Sequence, residues 1–524
     1  MNSPTRLRSS VPVPLLDRLE TLAGEASDRT ALTEDTAEGT GVRITAAELV
    51  TEVRRAADAL ARAATPGSVL CVPAGNTAAT AVTLLAALAA GLPVFPHSAR
   101  FAPELLDEVL RGEGLTGPAT GLPDADPADG TPLGLRGTLV RSDRTDLPAY
   151  FLATSGSTGT PRMIPFRAYR SYDARAVPEL TFRSCGWRSR QRQLIALPIY
   201  HIGNFAALVQ GVLDGNEVVL AGTGAERVAR AFERHRPEWT ILTPGLMERI
   251  LPFARSRPEA VRGLRALVHT AMPCPPAVKW AWMDLLGAER VFEMYGGTEG
   301  VGVTLLRGDQ WAAHPGSVGR GLLTEIRVLD DERRPQPAGE VGQVFLRRRG
   351  SGRTPSAAAP WLETLPNGFT SLGDLGWVDQ DGYLYLFDRS ANRLVRENGT
   401  AWLGRIGLTL RAHRDVADAE CVPVPGPTGP RIRAVVAARP GARRPVETLR
   451  AHCAAHLAPH EQPDEYVLVP QLPRTEAGKP DRRALLALVP TAEAPAVPVP
   501  AVPAAAADTP ASTADTRVAD ECPS

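Results

Sequence analysis

Apolar and polar positions along this chain repeat with two periods. Over residues 46–64, AAELVTEVRRAADALARAA, apolar residues recur every three or four positions and predict an amphipathic helix. SVLCVPAG then predicts a strand, TAATAVTLLAALAAG a helix and LPVFP another strand. The alternation resumes through QLIALPIYH, FAALVQGVLDG, NEVVLAG, RVARAFERHRP, EWTILTP, GLMERILPFARS, LRALVHTAMP and PAVKWAWMDLLG. Such repetition builds parallel sheets with helices on their faces. After about residue 320, IRVLDDERRPQPAGEVGQVFLRRRG and GWVDQDGYLYLFDR read as strands joined by Asp, Gly and Pro turns, so an antiparallel part should follow. Further on, VADAECVPVPG and RIRAVVAARPG look like hairpin strands and PVETLRAHCAAHL like a helix. The expected fold class is α/β. A large N-terminal domain over 1–388 would hold parallel and mixed sheets, flanking helices and the antiparallel part. A small α+β domain over 389–488 would follow, then a disordered Ala/Pro-rich tail over 489–524.

Composition narrows the function. The chain has 524 residues, 44% of them hydrophobic, with zero formal net charge and a pI near 7.1. That argues against nucleic acid or a membrane surface as a partner held by bulk charge. Cys71, Cys185, Cys274, Cys421, Cys453 and Cys522 form no C-x-x-C pair, as expected of a reduced, cytoplasmic protein without structural zinc or disulfides. MNSPTRLRSSVPVPLL lacks the apolar core of a signal peptide. The most apolar stretch, TAATAVTLLAALAAGLPVF, is broken by Gly91-Leu92-Pro93 and reads as a buried helix leading into a strand, not a membrane span. Of 58 basic residues only Lys279 and Lys479 are lysines, so a position that keeps Lys is of interest.

The chemistry begins at LATSGSTGTPRMIPF, residues 152–166. It follows the apolar run LPAYFLA and returns into apolar structure, unlike a linker. A Gly/Ser/Thr loop at a strand end offers clustered N–H groups and hydroxyls that suit phosphate oxygens, though an ordinary surface loop has the same composition. The Walker spacing is absent.

Seven motifs in order then carry a resemblance to the adenylate-forming superfamily of acyl-CoA synthetases, peptide-synthetase adenylation domains and luciferases. They are ATSGSTGTPR, LPIYHIGNF, EMYGGTEG, HPGSVGR, GEVGQVFLR, SLGDLGWVDQDGYLYLFDR and LPRTEAGKPDRRAL, running from residue 153 to 485, and the resemblance extends over about 15–488. HTAMPCPPAVKWAWMDLLG looks most like acyl-CoA ligases. The resemblance implies ATP, Mg²⁺ and coenzyme A as cofactors, a small-molecule carboxylic acid as substrate, and a mobile small domain. It assigns Thr154, Ser155, Ser157 and Thr158, with the backbone around Gly156 and Gly159, to the departing phosphates, and places Arg162 at the loop's end. Glu299 is the implied magnesium ligand, since Mg²⁺ bridging phosphates needs a carboxylate. Thr298 would donate to the α-phosphate, and Tyr295 would flank the adenine, with Ala271 and Gly296 also at the nucleotide. Asp374 would accept the ribose hydroxyls and Arg389 assist at ribose or phosphate. Lys479 would bridge the carboxylate and the α-phosphate, where a compact ammonium suits a crowded site better than a planar guanidinium. His201 reads either as a gate beside the acyl pocket or as a hydrogen-bonded core histidine.

Several positions depart from the family pattern. Arg162 replaces a lysine, Asp388 stands where Gly is usual, Ala391 where Asp or Lys is common, Gly407 where Glu is expected and Glu461 where Lys is frequent. Most lie in or near the small domain and bear on the hinge and on one half-reaction. The implied function is an acyl-CoA ligase. The alternatives are an amine or carrier-protein acceptor, an enzyme of one half-reaction, or an inactive binding homologue. Arg183, Arg188, Arg190 and Arg192 read either as a site for the CoA 3′-phosphate or as a solvated charged face.

Overall fold

The computed structural model describes residues 15–115, 120–122, 134–142, 147–154, 161–167, 169, 172–349, 359–427, 429–439, 441–442, 445–475 and 478–488. The expected helix at 46–64 forms as Ala46–Ala63 and buries Leu49, Val50, Val53, Ala56, Ala57 and Leu60 along one stripe. Its start is fixed by a reciprocal cap. The Glu48 N–H donates to Thr45 Oγ1 at 3.3 Å, and the Thr45 N–H donates to Glu48 Oε2 at 2.8 Å.

The strand–helix alternation produces two sheets. In the larger, six parallel strands lie in the order Val291–Gly296, Ala266–His269, Trp239–Leu242, Arg192–Ile195, Glu217–Ala221 and Thr30–Asp35. Thr40–Thr45 closes one edge antiparallel. Beyond Val291–Gly296 the sheet continues antiparallel through Val303–Arg307, Ser317–Gly321, Leu384–Arg389, Thr370–Val378, Gly342–Arg348 and Thr324–Leu329, the expected change of rhythm. The second sheet has six strands and ends with Val94–His97, Tyr150–Ala153 and Met163–Phe166.

One core joins the two sheets through helices Ala46–Ala63, Ala78–Ala89 and Ile202–Leu213, and takes in Leu60, Leu85, Val94, Phe205 and Leu220. A second lies on the far face of the larger sheet, under Ala225–His235, Pro244–Ser256 and Pro276–Leu286. The small domain packs Leu403–Arg411 and Pro445–His456 against a three-stranded sheet of Val416–Val424, Arg431–Ala438 and Glu465–Val469. The expected tail over 489–524 lies outside the described residues. The five described cysteines are free, and no described helix is long and apolar enough to cross a membrane.

Loops that leave the carboxyl ends of parallel strands converge on one edge of the sheet, where ligands bind in open α/β folds. The loop to His201 follows Arg192–Ile195. Thr243 follows Trp239–Leu242, Ala271 follows Ala266–His269, and the turn at 297–300 follows Val291–Gly296.

Removing the cap should cost stability without touching that edge. Thr45→Ala is expected to lower unfolding stability by about 1 kcal/mol, read from urea unfolding of the domain, with substrate turnover unchanged.

Candidate active site

The site is built from a carboxylate outward. Asp374 and Arg389 face each other across the antiparallel strands Thr370–Val378 and Leu384–Arg389. Arg389 Nε donates to Asp374 Oδ1 at 3.0 Å, and the Tyr295 hydroxyl donates to Asp374 Oδ2 at 2.6 Å. Asp374 is only 5% exposed, so these donors compensate its loss of water. Each oxygen keeps a lone pair that can accept a diol. Asp374 raises the Arg389 pKa; burial, then Asp374, push the Tyr295 phenol well above its usual range.

Beyond Tyr295 and Gly296 the chain turns at 297–300, with the Gly300 N–H donating to the Gly297 carbonyl at 3.1 Å. A Cβ on Gly297 would lie 2.5 Å from Glu299 Oε2 and 2.8 Å from Leu372, so only glycine lets Glu299 fold back over its own turn. Thr298 occupies the same turn. Ala271 adopts φ 81°, a left-handed conformation that strains an alanine and marks a site held by its surroundings.

The Gly/Ser/Thr loop joins Tyr150–Ala153 to Met163–Phe166, an antiparallel pair. The Thr154 N–H donates to the Arg162 carbonyl at 2.8 Å, and the Arg162 N–H to Thr154 Oγ1 at 3.0 Å. Ser155, Gly156, Ser157, Thr158 and Gly159 lie outside the described residues. The Arg162 guanidinium stacks over Trp361 at 4.6 Å from the ring centre, a contact that suits the planar group present here.

Lys479 arrives from the small domain on a tight hairpin. The Thr475 N–H donates to the Lys479 carbonyl at 2.8 Å, and the Gly478 N–H to the Thr475 carbonyl at 2.8 Å. A Cβ on Gly478 (φ 75°) would stand 3.7 Å from the Thr243 hydroxyl, so the hairpin meets the large domain at the carboxyl end of Trp239–Leu242. Burial and then Arg389 lower the Lys479 pKa, while Glu299 and Asp374 act in the opposite sense. The four expected groups therefore share one electrostatic neighbourhood.

The hinge departures have local partners. Asp388 Oδ1 accepts from the Arg389 N–H and from the Asn392 amide, both at 2.7 Å; its Oδ2 accepts from the Arg405 N–H at 3.1 Å. It thus caps Leu403–Arg411 of the small domain from the last strand of the large one. Gly404 makes this possible, since a Cβ there would lie 2.5 Å from Asp388 Oδ1. Ala391 sits in the short turn Ser390–Asn392. Gly407 is buried with Ala419 and Glu420 of the neighbouring strand behind it. Glu461 is buried, accepts from the Ala458 N–H at 3.2 Å and faces Arg405 at 3.7 Å.

The remaining candidates differ in placement. His201 is the half-buried N-cap of Ile202–Leu213, its ring 4.6 Å from that of Tyr200. Lys279, the other lysine, is buried and paired with Glu293 beneath Trp311, where it locks its helix onto the strand leading to Tyr295. The arginine group stands at the amino end of Arg192–Ile195, away from the converging loops. Arg183 faces Asp214 at 3.4 Å, Arg190 pairs with Glu25, and Arg192 meets Glu217 at 2.7 Å, which fits the charged-face reading.

Two positions have partners that the sequence pattern does not show. Asn76 donates to the carbonyls of Leu197 at 3.0 Å and Ala221 at 2.8 Å and accepts from the Ile199 N–H at 3.0 Å, pinning LPIYH from the smaller sheet's side. Arg474 lies inside a quoted motif, yet only the fold shows what it holds.

The AMP-binding enzyme family matches residues 115–354, and the AMP-binding enzyme C-terminal domain residues 409–479. A sulfoacetate–CoA ligase of Cupriavidus necator is 29% identical over 349 residues, 65% of this chain and 67% of its own length. A 2-succinylbenzoate–CoA ligase of Bacillus pumilus is 26% identical over 347 residues, 64% of this chain and 68% of its own. The solved amide bond synthetase McbA from Marinactinospora thermotolerans matches at 26% identity with a TM-score of 0.71, over 90% of this chain and 99% of that one. An o-succinylbenzoate coenzyme A synthetase from Bacillus subtilis in complex with AMP, at 20% identity, shares the fold with a TM-score of 0.71 over 92% of this chain and 100% of that one.

If Asp374 accepts the ribose, Asp374→Ala should weaken ATP and a non-hydrolysable acyl-AMP analogue alike, by about tenfold to a hundredfold, the worth of charged hydrogen bonds. Calorimetry with both ligands checks this; unchanged analogue affinity refutes the assignment.

Proposed function

The chain belongs to the adenylate-forming superfamily of ATP-dependent, AMP-forming ligases, and from that premise we propose that it activates an organic carboxylic acid as acyl-AMP and transfers the acyl group to coenzyme A. The observation that carries the reading is the Lys479 hairpin meeting the large domain beside Thr243, at the edge that presents Glu299 and, through Tyr295, the Asp374–Arg389 pair. A carboxylate oxygen attacks the α-phosphorus of ATP, and the bond to the pyrophosphate oxygen breaks. Both reactants are anionic, so catalysis is charge neutralisation and in-line positioning. Lys479 supplies the cation between them. Asp374 holds the ribose, Tyr295, Ala271 and Gly296 bound the adenine, and Thr298 donates to the α-phosphate. Thr154 and the loop after it, through Gly159 to Arg162, receive the leaving phosphates.

Magnesium, when bound, supplies positive charge to the phosphate oxygens. Among the described residues no cluster of three or more His, Cys, Asp or Glu could hold a metal. A single carboxylate fits Mg²⁺, which takes much of its shell from phosphate and water, and Glu299 is the residue for it.

In the second half-reaction the acceptor attacks the acyl carbon and AMP leaves. CoA is favoured by the CoA ligases among the relatives. An amine acceptor is the second reading, favoured by the likeness to an amide bond synthetase over nearly its whole length. The domain boundary at 388/389 belongs to this proposal, because Lys479 has to withdraw before an acceptor enters, with the small domain turning near Ser390–Asn392. ATP–pyrophosphate exchange across an acid panel, followed by mass spectrometry with CoA or amines, tests the reading. Absence of exchange with every acid would remove it.

Lys479→Ala should cut exchange by about 10²–10³-fold, as for loss of one electrostatic stabiliser, and do less harm when preformed acyl-AMP is supplied. Because the charged form of lysine is its acid form, rising pH discharges it. With its pKa lowered, the alkaline limb of kcat/KM for exchange should begin below the free-lysine value of about 10.4; a limb at or above that value contradicts the placement.

Turnover of supplied acyl-AMP tests the hinge. Asp388→Gly removes the cap that ties Leu403–Arg411 to the last large-domain strand. It should accelerate acyl-AMP consumption severalfold while slowing pyrophosphate exchange. Equal change in both rates rules out a hinge role.

A further inference from the structure

We propose that Arg474 is a positioning residue for adenylation: its guanidinium spans the Gly478 carbonyl and the Asp418 carboxylate and so fixes the hairpin that carries Lys479. Arg474 Nη1 donates to the Gly478 carbonyl at 2.9 Å, and its Nε donates to Asp418 Oδ2 at 3.0 Å. A further contact joins Nη2 to the same oxygen. The peptide carbonyl held in this way immediately precedes Lys479, so its position sets where the lysine side chain starts.

The anchor is part of a rigid body. Asp418 lies in Val416–Val424, an outer strand of the small-domain sheet, at a local shift of register, and its Oδ1 accepts from the Ala419 N–H at 3.0 Å. Arg411 stands behind it, 3.9 Å from Asp418 Oδ1, and donates to Glu420 Oε1 at 2.8 Å. The hairpin closes on itself through backbone bonds, Thr475 N–H to the Lys479 carbonyl and Gly478 N–H to the Thr475 carbonyl among them, none of which reaches the sheet. Arg474 bridges Pro480, and the Asp481 N–H donates to the Pro473 carbonyl at 3.0 Å. Without the guanidinium, nothing among the described contacts ties the Gly478 carbonyl to the sheet.

The geometry requires arginine. One planar fork reaches a carboxylate and a carbonyl at once; an ammonium on a flexible stem reaches one point. The large domain faces the same spot. Arg249, on Pro244–Ser256, has its pKa lowered by partial burial and then by Arg474, with Glu248 and Asp418 in the opposite sense. Thr243, the N-cap of that helix, adjoins Gly478. The clamp therefore sits where Lys479 enters the site, and a misplacement of about 1 Å there can cost about a hundredfold in rate.

The inference rests on the adenylation reading, and the experiment separates the two. Wild-type ATP–pyrophosphate exchange is measured first; no exchange with any acid overturns the reading and this inference with it. Given exchange, Arg474→Ala should lose about tenfold to a hundredfold in kcat, with KM for ATP little changed and consumption of preformed acyl-AMP retained. Arg474→Lys should recover little. Guanidinium at a non-denaturing concentration should restore exchange in Arg474→Ala but not in Lys479→Ala. Asp418→Asn should show the same split between half-reactions in weaker form. Equal loss in both half-reactions without guanidinium rescue would make Arg474 a fold-stabilising ion pair only, and full retention of exchange would refute the role outright.

Discussion

Two cations, Arg389 and Lys479, share one electrostatic neighbourhood, and much of the site answers that constraint. Like charges held close together repel, and more so away from water. The opposing terms are built into the backbone. Cross-strand register puts Asp374 against Arg389, a glycine-permitted turn presents Glu299, and Tyr295 satisfies the second carboxylate oxygen. Lys479 is the member supplied from outside the large domain. Burial first, and Arg389 second, disfavour its charged form there. In the adenylation we propose, the anionic substrates would offset that cost.

The connection between the domains carries a carboxylate of its own. Asp388 gathers three N–H donors, one of them the start of a small-domain helix. Phe387 and Trp402 add an edge-to-face contact across the same junction, at 5.5 Å. Neither contact reaches the reacting atoms. Together they tie the segment next to Ser390–Asn392, the turn we propose as the pivot.

Periodicity made the order of elements legible, because each helix and strand buries a face of its own. The expected helices and strands quoted from 46–97 and 192–286 all form. It could not show that Ser68–Pro73 and Val94–His97 leave the main sheet for a second one. Strands buried on both faces are apolar throughout and carry no mark of which sheet they join. Motif order brought Tyr295, Glu299, Asp374, Arg389 and Lys479 together, but the scarcity of lysine pointed equally to Lys279. That residue is instead an internal ion pair, a role that depends on Glu293 across the packed helix. The partners of Asn76, Asp388 and Arg474 were illegible for a related reason, although Asp388 itself stood out as a departure. Each acts on backbone groups distant in sequence or hidden in a turn, and a contact of that kind leaves no period.

The near-exclusive use of arginine has a consequence for chemical labelling. A guanidinium stays protonated at any ordinary pH, whereas an amine can be made nucleophilic. With only two lysines in the chain and Lys279 2% exposed in an ion pair, Lys479 is the side-chain amine that a small electrophile meets, and its lowered pKa favours the reactive form. An isotope-tagged methyl group on that nitrogen would give a resolved spectroscopic signal at the junction of the two domains, without any engineered cysteine.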